Sequence, residues 1–194
     1  MTKIQALELL HKNMQNQNLR RHCYAVDFAM KGLHEYLNSI SRTPAEDSEA
    51  WEVLGIIHDS DYEITKDDWT KHTILLLGWL TELGMSETDP IYLAVMSHNN
   101  KVTGLREPVT DMEWALECCD ELTGFIVACA LVKGGKLSEV TLETVKKKWP
   151  QKAFAAGVIR EQTEQCQEKL GVNLDDFISI VLKSMQENSE ELGL

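Results

Sequence analysis

Residues 111–133 have the sequence DMEWALECCDELTGFIVACALVK, an apolar stretch that carries Asp120 near its middle. Leu116 and Val127 lie four positions before and seven positions after Asp120, which places the three side chains on one face of an α-helix. An ionised carboxylate on an apolar face is destabilising unless a cation or several hydrogen-bond donors meet it. The stretch therefore predicts a core helix whose carboxylate either serves as a ligand or is satisfied by helix capping or a buried ion pair.

Helical periodicity extends outward from this stretch, and the alternation typical of strands is nearly absent. It predicts helices at 2–14, 18–41, 67–83, 111–133, 138–148, 151–170 and 174–187, another from about 47 to 58–61, another from 90 to 97–100, and a loop at 99–110. The prolines at positions 44, 90, 108 and 150 fall at these boundaries, because proline interrupts a helix interior. We expect an all-α fold, a single-domain helical bundle over residues 1–194, with a core at about 18–133 and C-terminal helices at 138–187 packed on it.

Composition narrows the class of protein. The 194 residues are 43% hydrophobic and 26% charged, as in an ordinary globular protein. The formal net charge of -12 argues against broad binding of nucleic acid. The five cysteines show no CxxC spacing, so reduced, mostly buried thiols in a cytoplasmic protein are the simplest interpretation. No signal peptide is recognisable, and the longest apolar run, 125–132, is far shorter than the roughly 20 residues of a membrane span, so we expect no membrane association.

Four histidines also fall where a side chain is expected to point inward. His22, His72 and His98 share their helical faces with apolar residues. His58 and Asp59 are adjacent, and neighbours on a helix diverge by about 100°, so both reach one ion only where the helix ends or turns. Taken singly, each histidine is better explained as a core residue with a hydrogen-bond partner. Taken together, four imidazoles and two carboxylates are satisfied most simply by a shared metal ion.

The order of these residues resembles the signature of a known superfamily. His22, then His58 and Asp59, then Asp120 are similar to the H…HD…D pattern of the HD-domain phosphohydrolases, which are all-helical. The chain also resembles a bacterial and archaeal subgroup of predicted HD hydrolases at 57–63 (IHDSDYE), 97–99 (SHN), 120–124 (DELTG), 146–149 (KKKW) and 154–158 (FAAGV). The resemblance covers most of the chain, from about residue 22 to residue 157.

The resemblance implies a ligand set. His22, His58, Asp59 and Asp120 would coordinate a divalent ion, which could be Mn, Fe, Mg, Zn, Ni or Co. His72 and His98 match positions that supply a second ion in related binuclear enzymes, with Asp59 then bridging the two ions. Whether the protein holds one ion or two stays open at this point.

The expected activity is metal-dependent hydrolysis of a phosphomonoester or phosphodiester of a small molecule, for example a nucleotide. Asp59 would orient or partly deprotonate the attacking water. Asp61 and Glu63 are candidates for partners of the ligands or for a general acid, and a solvated helix terminus is the alternative for each. The candidates for contact with the phosphate, each with a surface role as its alternative, are Lys101, Arg106 and Lys133.

Two other functions are compatible with this ligand set. A di-iron HD-type oxygenase would need the second site and therefore His72 and His98. A non-catalytic HD scaffold would bind a nucleotide or a partner without turnover. The sequence leaves the natural substrate, the metal and the oligomeric state open.

Overall fold

Thirteen α-helices make up most of residues 1–42 and 44–194, the part of the chain that the structure, a computed structural model, describes. This part is 66% helical, contains no strand and forms one domain, which confirms the predicted all-α class. The helices are α1 (Lys3–Asn13), α2 (Gln17–Ser39), α3 (Ser48–Ile57), α4 (Tyr62–Thr65), α5 (Ile74–Glu82), α6 (Pro90–His98), α7 (Asn100–Thr103), α8 (Asp111–Leu131), α9 (Leu142–Lys148), α10 (Arg160–Glu164), α11 (Cys166–Lys169), α12 (Leu174–Glu187) and α13 (Ser189–Leu192). A single turn of 3-10 helix at Leu137–Glu139 precedes α9.

Helix α2 lies at the centre of the packing. The side chain of Asn16 caps its start by accepting the backbone N–H groups of Asn18 and Leu19, which would otherwise lack partners. One face of α2 is buried against α3, α8, α12 and α13. The apolar residues of that face are Cys23, Ala25, Val26, Ala29, Met30, Leu33 and Leu37. Because His22 sits at the N-terminal end of this face, the packing of α2 carries it toward α3 and α8.

The contact between α2 and α3 depends on Gly55. A Cβ atom at this position would lie 2.6 Å from the Cα of Asp27 and 2.7 Å from its backbone nitrogen. These atoms belong to the backbone of α2 and cannot rotate away, so only glycine allows the two helices to approach this closely. The approach places the C-terminal end of α3, with His58, beside His22 on α2.

Helix α8 is the predicted core helix, and it begins and ends close to the predicted boundaries. Thr110 and Glu113 form a reciprocal capping box at its start. Its buried face packs on α2, α6, α10 and α12. Asp120 lies near the middle of α8, with a side chain that is 18% exposed. The site-bearing carboxylate is therefore held by the most extensively packed helices of the fold.

The predicted helix over 67–83 is wrong at its N-terminal end, because α5 begins only at Ile74. The side-chain amide of Asn99 donates to the carbonyl oxygens of Trp69 and His72, at 2.8 and 3.1 Å, which takes both carbonyls out of a helical ladder. Thr73 then adopts a positive φ of 70°, a conformation that a regular helix does not contain. The residues between α4 and α5 therefore form turns, although their apolar spacing is helical.

The predicted helix over 151–170 is also wrong in part, since residues 151–159 form turns and bends and only α10 and α11 are helical. The guanidinium of Arg160 donates to the carbonyl oxygens of Trp149, Gln151, Phe154 and Val158. One side chain thereby satisfies the acceptors that a helix would otherwise pair, so this stretch folds around Arg160.

Two further findings bear on the sequence predictions. In the described ranges, no helix combines the length and the apolar character that crossing a bilayer requires. All five cysteines are buried free thiols, as predicted. Their sequence positions are Cys23, Cys118, Cys119, Cys129 and Cys166.

Candidate metal centre

The HD dipeptide lies where α3 ends. Ile57 is the last helical residue, His58 is the C-cap, and the chain then turns through Ser60 and Asp61 before α4 begins. Two adjacent ligands of one ion require such an end, because adjacent helical residues point in different directions. The turn lets the side chains of His58 and Asp59 face the same cluster.

Asp59 lies at the centre of that cluster. Its Oδ1 atom is 3.2 Å from Nε2 of His98, 3.3 Å from Nε2 of His72 and 3.8 Å from Nε2 of His58. Its Oδ2 atom is 3.7 Å from Nε2 of His22. Four imidazoles, which come from α2, the end of α3, the turn before α5 and the end of α6, therefore converge on one carboxylate.

Asp120 provides the second carboxylate. Its Oδ1 atom lies 2.9 Å from Nε2 of His22 and 3.6 Å from Nε2 of His58. Three sets of potential metal ligands have donor atoms within 4.8 Å of one another. These sets are His22 with His58 and Asp59, His58 with His98 and Asp120, and Asp59 with His72 and His98. The structure thus brings together all six metal-ligand candidates from the sequence.

Outer contacts orient two of the imidazoles. Nδ1 of His58 lies 2.8 Å from the carbonyl oxygen of Gly55, and Nδ1 of His72 lies 2.8 Å from Oδ1 of Asp61. Because a carbonyl and a carboxylate can only accept, each Nδ1 carries a proton, and each Nε2 faces the cluster, where its lone pair is available to an ion once the imidazole is neutral. This is the arrangement by which proteins hold metal-ligating histidines.

Asp61 is fully buried, so the solvated-terminus alternative is wrong for this residue. Its second oxygen, Oδ2, accepts the backbone N–H of Leu76 at 3.0 Å, which anchors the start of α5. Glu63 has a different place, since its carboxylate accepts the backbone N–H groups of Gln15 and Asn16 in the α1–α2 corner. Asp61 therefore supports the cluster, and Glu63 supports the scaffold.

The donor set fits a divalent cation. Nε2 of His58 is buried and has no hydrogen-bond partner, although it points between the carboxylates of Asp59 and Asp120. A buried polar atom without a partner is destabilising, and coordination of a cation would satisfy it. No lysine or arginine in the described chain pairs with either carboxylate, as the ion pairs of both are with histidine alone. Imidazole nitrogen with carboxylate oxygen is a common ligand combination for divalent metals.

The charges within the cluster are strongly coupled. Burial lowers the pKa of His22, but the hydrogen bond and charge of Asp120 outweigh burial and raise this pKa to about 9. Burial is likewise outweighed at His72, whose contact with Asp59 raises its pKa to about 10. Burial raises the carboxyl pKa of both aspartates, yet the neighbouring His58 and His22 hold these pKa values below their usual range. Imidazolium protons can neutralise the carboxylates, and a metal ion would displace them.

Two cavities each contain three or more of the six ligand candidates. The larger, of about 460 Å³, is within the range of small-molecule sites. It is lined by Asp59, Tyr62, Trp69, His72, His98, Asn99, Lys101, Val102, Asp120, Glu121, Gly157, Ile159 and Gln162. The smaller, of about 260 Å³, reaches His22 and shares Asp59, Tyr62, Trp69, Asp120 and Glu121 with the larger one. A third cavity, of about 490 Å³, lies between α1 and the α5–α6 connection and contains none of the six ligand candidates.

Lys101 is the one substrate candidate that lines the larger cavity. Its Nζ atom lies 2.6 Å from Oε1 of Glu117 and 2.5 Å from Oε1 of Gln162. The side chain remains 59% exposed, whereas that of Glu117 is only 6% exposed. Lys101 is therefore anchored at its ammonium group while it forms part of the cavity wall.

The structure does not bring the other two substrate candidates to the cluster. Arg106 pairs with Glu113 at 3.0 Å and lines a neighbouring cavity of about 510 Å³, which contains His98 and Lys101 but none of the other five ligand candidates. Lys133 is exposed beyond the end of α8. It follows Asp120 by thirteen residues, which corresponds to about 20 Å along a helix axis.

The aromatic and acidic residues of the cavity wall were not predicted from the sequence. Helical spacing placed Trp69 on an inward face, but the residue is 50% exposed because its segment is not helical. Tyr62 and Glu121 were not singled out as site residues, although each lies close in sequence to a ligand candidate. Burial raises the pKa of Glu121, and the charge of Asp120 adds to this, while the N–H of Ile159 opposes it.

No protein-family model, no curated protein and no solved structure matches this chain. The geometry alone defines a helical protein whose clustered histidines and aspartates could bind metal, and this arrangement is compatible with an HD domain. The identity of the ion does not follow from it.

Proposed function

We propose that the protein is an HD-type, metal-dependent phosphohydrolase that cleaves a phosphomonoester or phosphodiester of a small molecule. The observation that carries the proposal is the convergence of four imidazoles on Asp59 and Asp120, beside a cavity of about 460 Å³. The ordered H…HD…D pattern of the sequence supports the same class. A divalent ion at this site would polarise the phosphoryl group and lower the pKa of a water molecule.

The side chains of the cluster have separate tasks in this reaction. Asp59 orients the attacking water and accepts its proton, since its carboxylate faces both the cluster and the cavity. The water oxygen forms the new bond to phosphorus, the bond between phosphorus and the ester oxygen breaks, and the leaving alkoxide oxygen takes up a proton and departs as the alcohol. Asp61 acts through His72, which it positions by the hydrogen bond to Nδ1. Lys101 supplies a cation at the cavity wall for the phosphoryl oxygens.

The number of ions separates this proposal from its main alternative. Asp59, His72 and His98 form a second ligand set that shares Asp59 with the first. Two ions are therefore compatible with the site, and two irons would allow an oxygen-dependent oxidation instead. Iron in the purified protein, together with oxygen consumption, would favour the oxygenase over the hydrolase.

The test is metal content and activity measured on the same samples. Protein purified without chelator is analysed for metal and tested with p-nitrophenyl phosphate and its bis ester in the presence of manganese, beside Asp59→Ala. We expect about one or two ions per chain, with both metal and activity lost in the variant. The matched control is Asp67→Ala, because Asp67 is an exposed carboxylate only eight residues away.

Failure of wild-type protein to bind any divalent metal would overturn the ligand assignment. Metal binding without hydrolysis of either ester would leave the metal site and remove the proposed reaction. In that case, a non-catalytic scaffold that binds a nucleotide or a partner becomes the leading function.

A further inference from the structure

Three rings form a corner in the wall of the larger cavity. The ring centroids of Tyr62 and Trp69 lie 5.5 Å apart, and both rings lie within 6 Å of the imidazole of His72, at 5.7 and 5.8 Å. The three ring planes meet at 72°, 83° and 88°. All three residues line the cavity, so they enclose one part of it on several sides.

The same cavity contains a carboxylate without a cationic partner. Glu121 accepts the backbone N–H of Ile159 at 3.0 Å, and no lysine or arginine of the described chain forms an ion pair with it. Lys101, the lysine of this cavity, is bound to Glu117 and Gln162. Glu121 therefore has no salt-bridge partner among the lysines and arginines of the described chain, and its carboxylate stays available to a ligand in the cavity.

We propose that the substrate is a phosphate ester whose alcohol carries a positively charged amine, in particular a quaternary or protonated amino alcohol. This inference rests on the proposed phosphohydrolase function and adds the class of the leaving group. The phosphate lies at the metal cluster, and the ammonium group lies between the rings of Tyr62 and Trp69 and the carboxylate of Glu121. Cations bind over aromatic faces, and a nearby carboxylate adds a charge contact.

The angles between the rings favour a compact cation over a flat base. A nucleobase stacks on a single open face or between nearly parallel faces. The rings of Tyr62 and Trp69 meet at 72° and offer no such slot, whereas a roughly spherical ammonium group contacts both of them at once. The net charge of -12 also makes a substrate with a cationic portion more favourable than one that is wholly anionic.

The test compares two esters of the same shape. Phosphocholine and 3,3-dimethylbutyl phosphate differ only in the replacement of the charged nitrogen by carbon. We expect metal-loaded wild-type protein to hydrolyse phosphocholine with a kcat/KM that is roughly tenfold higher or more, as expected for a cation–π contact joined by a carboxylate. Choline should inhibit the hydrolysis of p-nitrophenyl phosphate competitively, and 3,3-dimethylbutanol should not.

Two variants test whether the proposed contacts cause the preference for the charged ester. Glu121→Gln keeps an oxygen that can accept the N–H of Ile159 but removes the charge, and Trp69→Leu removes an exposed ring. Each should bring the ratio between the two esters toward one and weaken inhibition by choline. Trp69→Leu keeps the test valid if Glu121→Gln folds poorly, because Trp69 is half exposed.

The outcomes separate the two proposals. Equal hydrolysis of the two esters, or a preference for nucleoside monophosphates over phosphocholine, would overturn the amino-alcohol inference and leave the hydrolase intact. Absence of hydrolysis with every ester, including p-nitrophenyl phosphate, would overturn the proposed function and this inference with it.

Discussion

Two acidic clusters lie close to the α2–α3 pair, and they are neutralised differently. In the first, Nζ of Lys3 lies 2.9 Å from Asp27 of α2 and 2.6 Å from Glu52 of α3. In the second, Asp59 and Asp120 are surrounded by imidazoles, and no ammonium or guanidinium of the described chain pairs with them. The first cluster contains its own permanent cation, and the second does not.

The difference separates a structural acid from a ligand. Lys3 links α1 to the α2–α3 pair, and its ammonium group contacts both carboxylates of the first cluster. The Asp59 cluster directs imidazole lone pairs and carboxylate oxygens at a shared centre, which is the property that a metal site requires. A buried carboxylate in a sequence becomes evidence for a metal site only after a lysine or arginine partner has been excluded.

The largest effect is expected from Gly55, which contacts one residue of each cluster. Its Cα faces the backbone of Asp27, and its carbonyl oxygen accepts from Nδ1 of His58. Gly55→Ala should lower the free energy of unfolding by about 2–3 kcal/mol, because the added carbon meets backbone atoms, and should weaken metal binding as well. Chemical denaturation and metal titration measure the two effects.

The matched control for this change is Gly78→Ala in α5, where an added Cβ meets no atom within 4 Å. That variant should be neutral or more stable by up to about 1 kcal/mol. Equal stability of the two alanine variants would contradict the role assigned to Gly55.

The next effect tests the imidazole cluster alone. Asp61→Asn cannot accept from both the Nδ1–H of His72 and the backbone N–H of Leu76 as the carboxylate does. We expect about 10–100-fold weaker metal binding, as for other residues that orient a ligand, measured by competition with a chelator. Asp67→Asn, at an exposed position of the same segment, should bind metal like the wild type. Unchanged affinity in Asp61→Asn would show that His72 is not a ligand.

A smaller effect tests the lysine cluster. Lys3→Met keeps the length of the side chain and leaves Asp27 and Glu52 without a cation. We expect a loss of about 1–2 kcal/mol in unfolding free energy, less than for a fully buried pair because the Lys3 side chain is 35% exposed. Metal stoichiometry should not change. A loss of bound metal in Lys3→Met would mean that the two clusters are coupled. Adding Asp27→Asn to Lys3→Met should restore part of the lost stability, because it removes one of the two unpaired charges.

The last prediction concerns pH, because the two clusters bind protons in different pH ranges. Burial raises the carboxyl pKa of Asp27 from 3.8 to about 6, more than Lys3 lowers it, so the folded form binds this proton more tightly. Stability from this group is present below about pH 3.8 and declines as the pH rises through 6. His22 and His72, with pKa values raised from 6.5 to about 9 and about 10, stabilise metal-free protein below about pH 6.5 and lose this effect as the pH rises through 9 and 10.

Denaturation of metal-free protein across the two pH ranges measures these slopes. In Asp27→Asn, the unfolding free energy should lose its dependence on pH in the acidic range alone. With saturating metal, the unfolding free energy should lose its dependence on pH in the alkaline range, because the metal displaces the imidazolium protons. A metal-free protein whose stability does not change between about pH 7 and 10 would contradict the charge state assigned to His22 and His72.

The inward faces of α2 and α8 could be predicted from sequence because apolar spacing alone determines which side of a regular helix is buried. His22 and Asp120 were found in this way. The end of α3 at the HD dipeptide could also be predicted, since two adjacent ligands need a turn. These predictions use only positions that are close in sequence.

The predictions that failed depend on contacts between distant positions. The turn at 67–73 is stabilised by Asn99, about thirty residues away, whose amide takes carbonyls that a helix would use. Lys101 is bound by Glu117 and Gln162, which lie 16 and 61 residues further along the chain. No local pattern encodes these pairings, so the sequence could not show that Lys101 is anchored or that Trp69 is exposed.

The two ion pairs between the α6–α8 connection and α8 have a practical consequence for protein engineering. Lys101–Glu117 and Arg106–Glu113 fasten this connection at two points, and their acidic partners lie one turn apart on the same helix. Between these two ion pairs the chain passes over the surface at 104–105, where Gly104 adopts a left-handed backbone conformation. A fluorophore or affinity tag inserted at this tip would leave both ion pairs in place, so the label would report on ligand binding close to His98 without displacing that histidine.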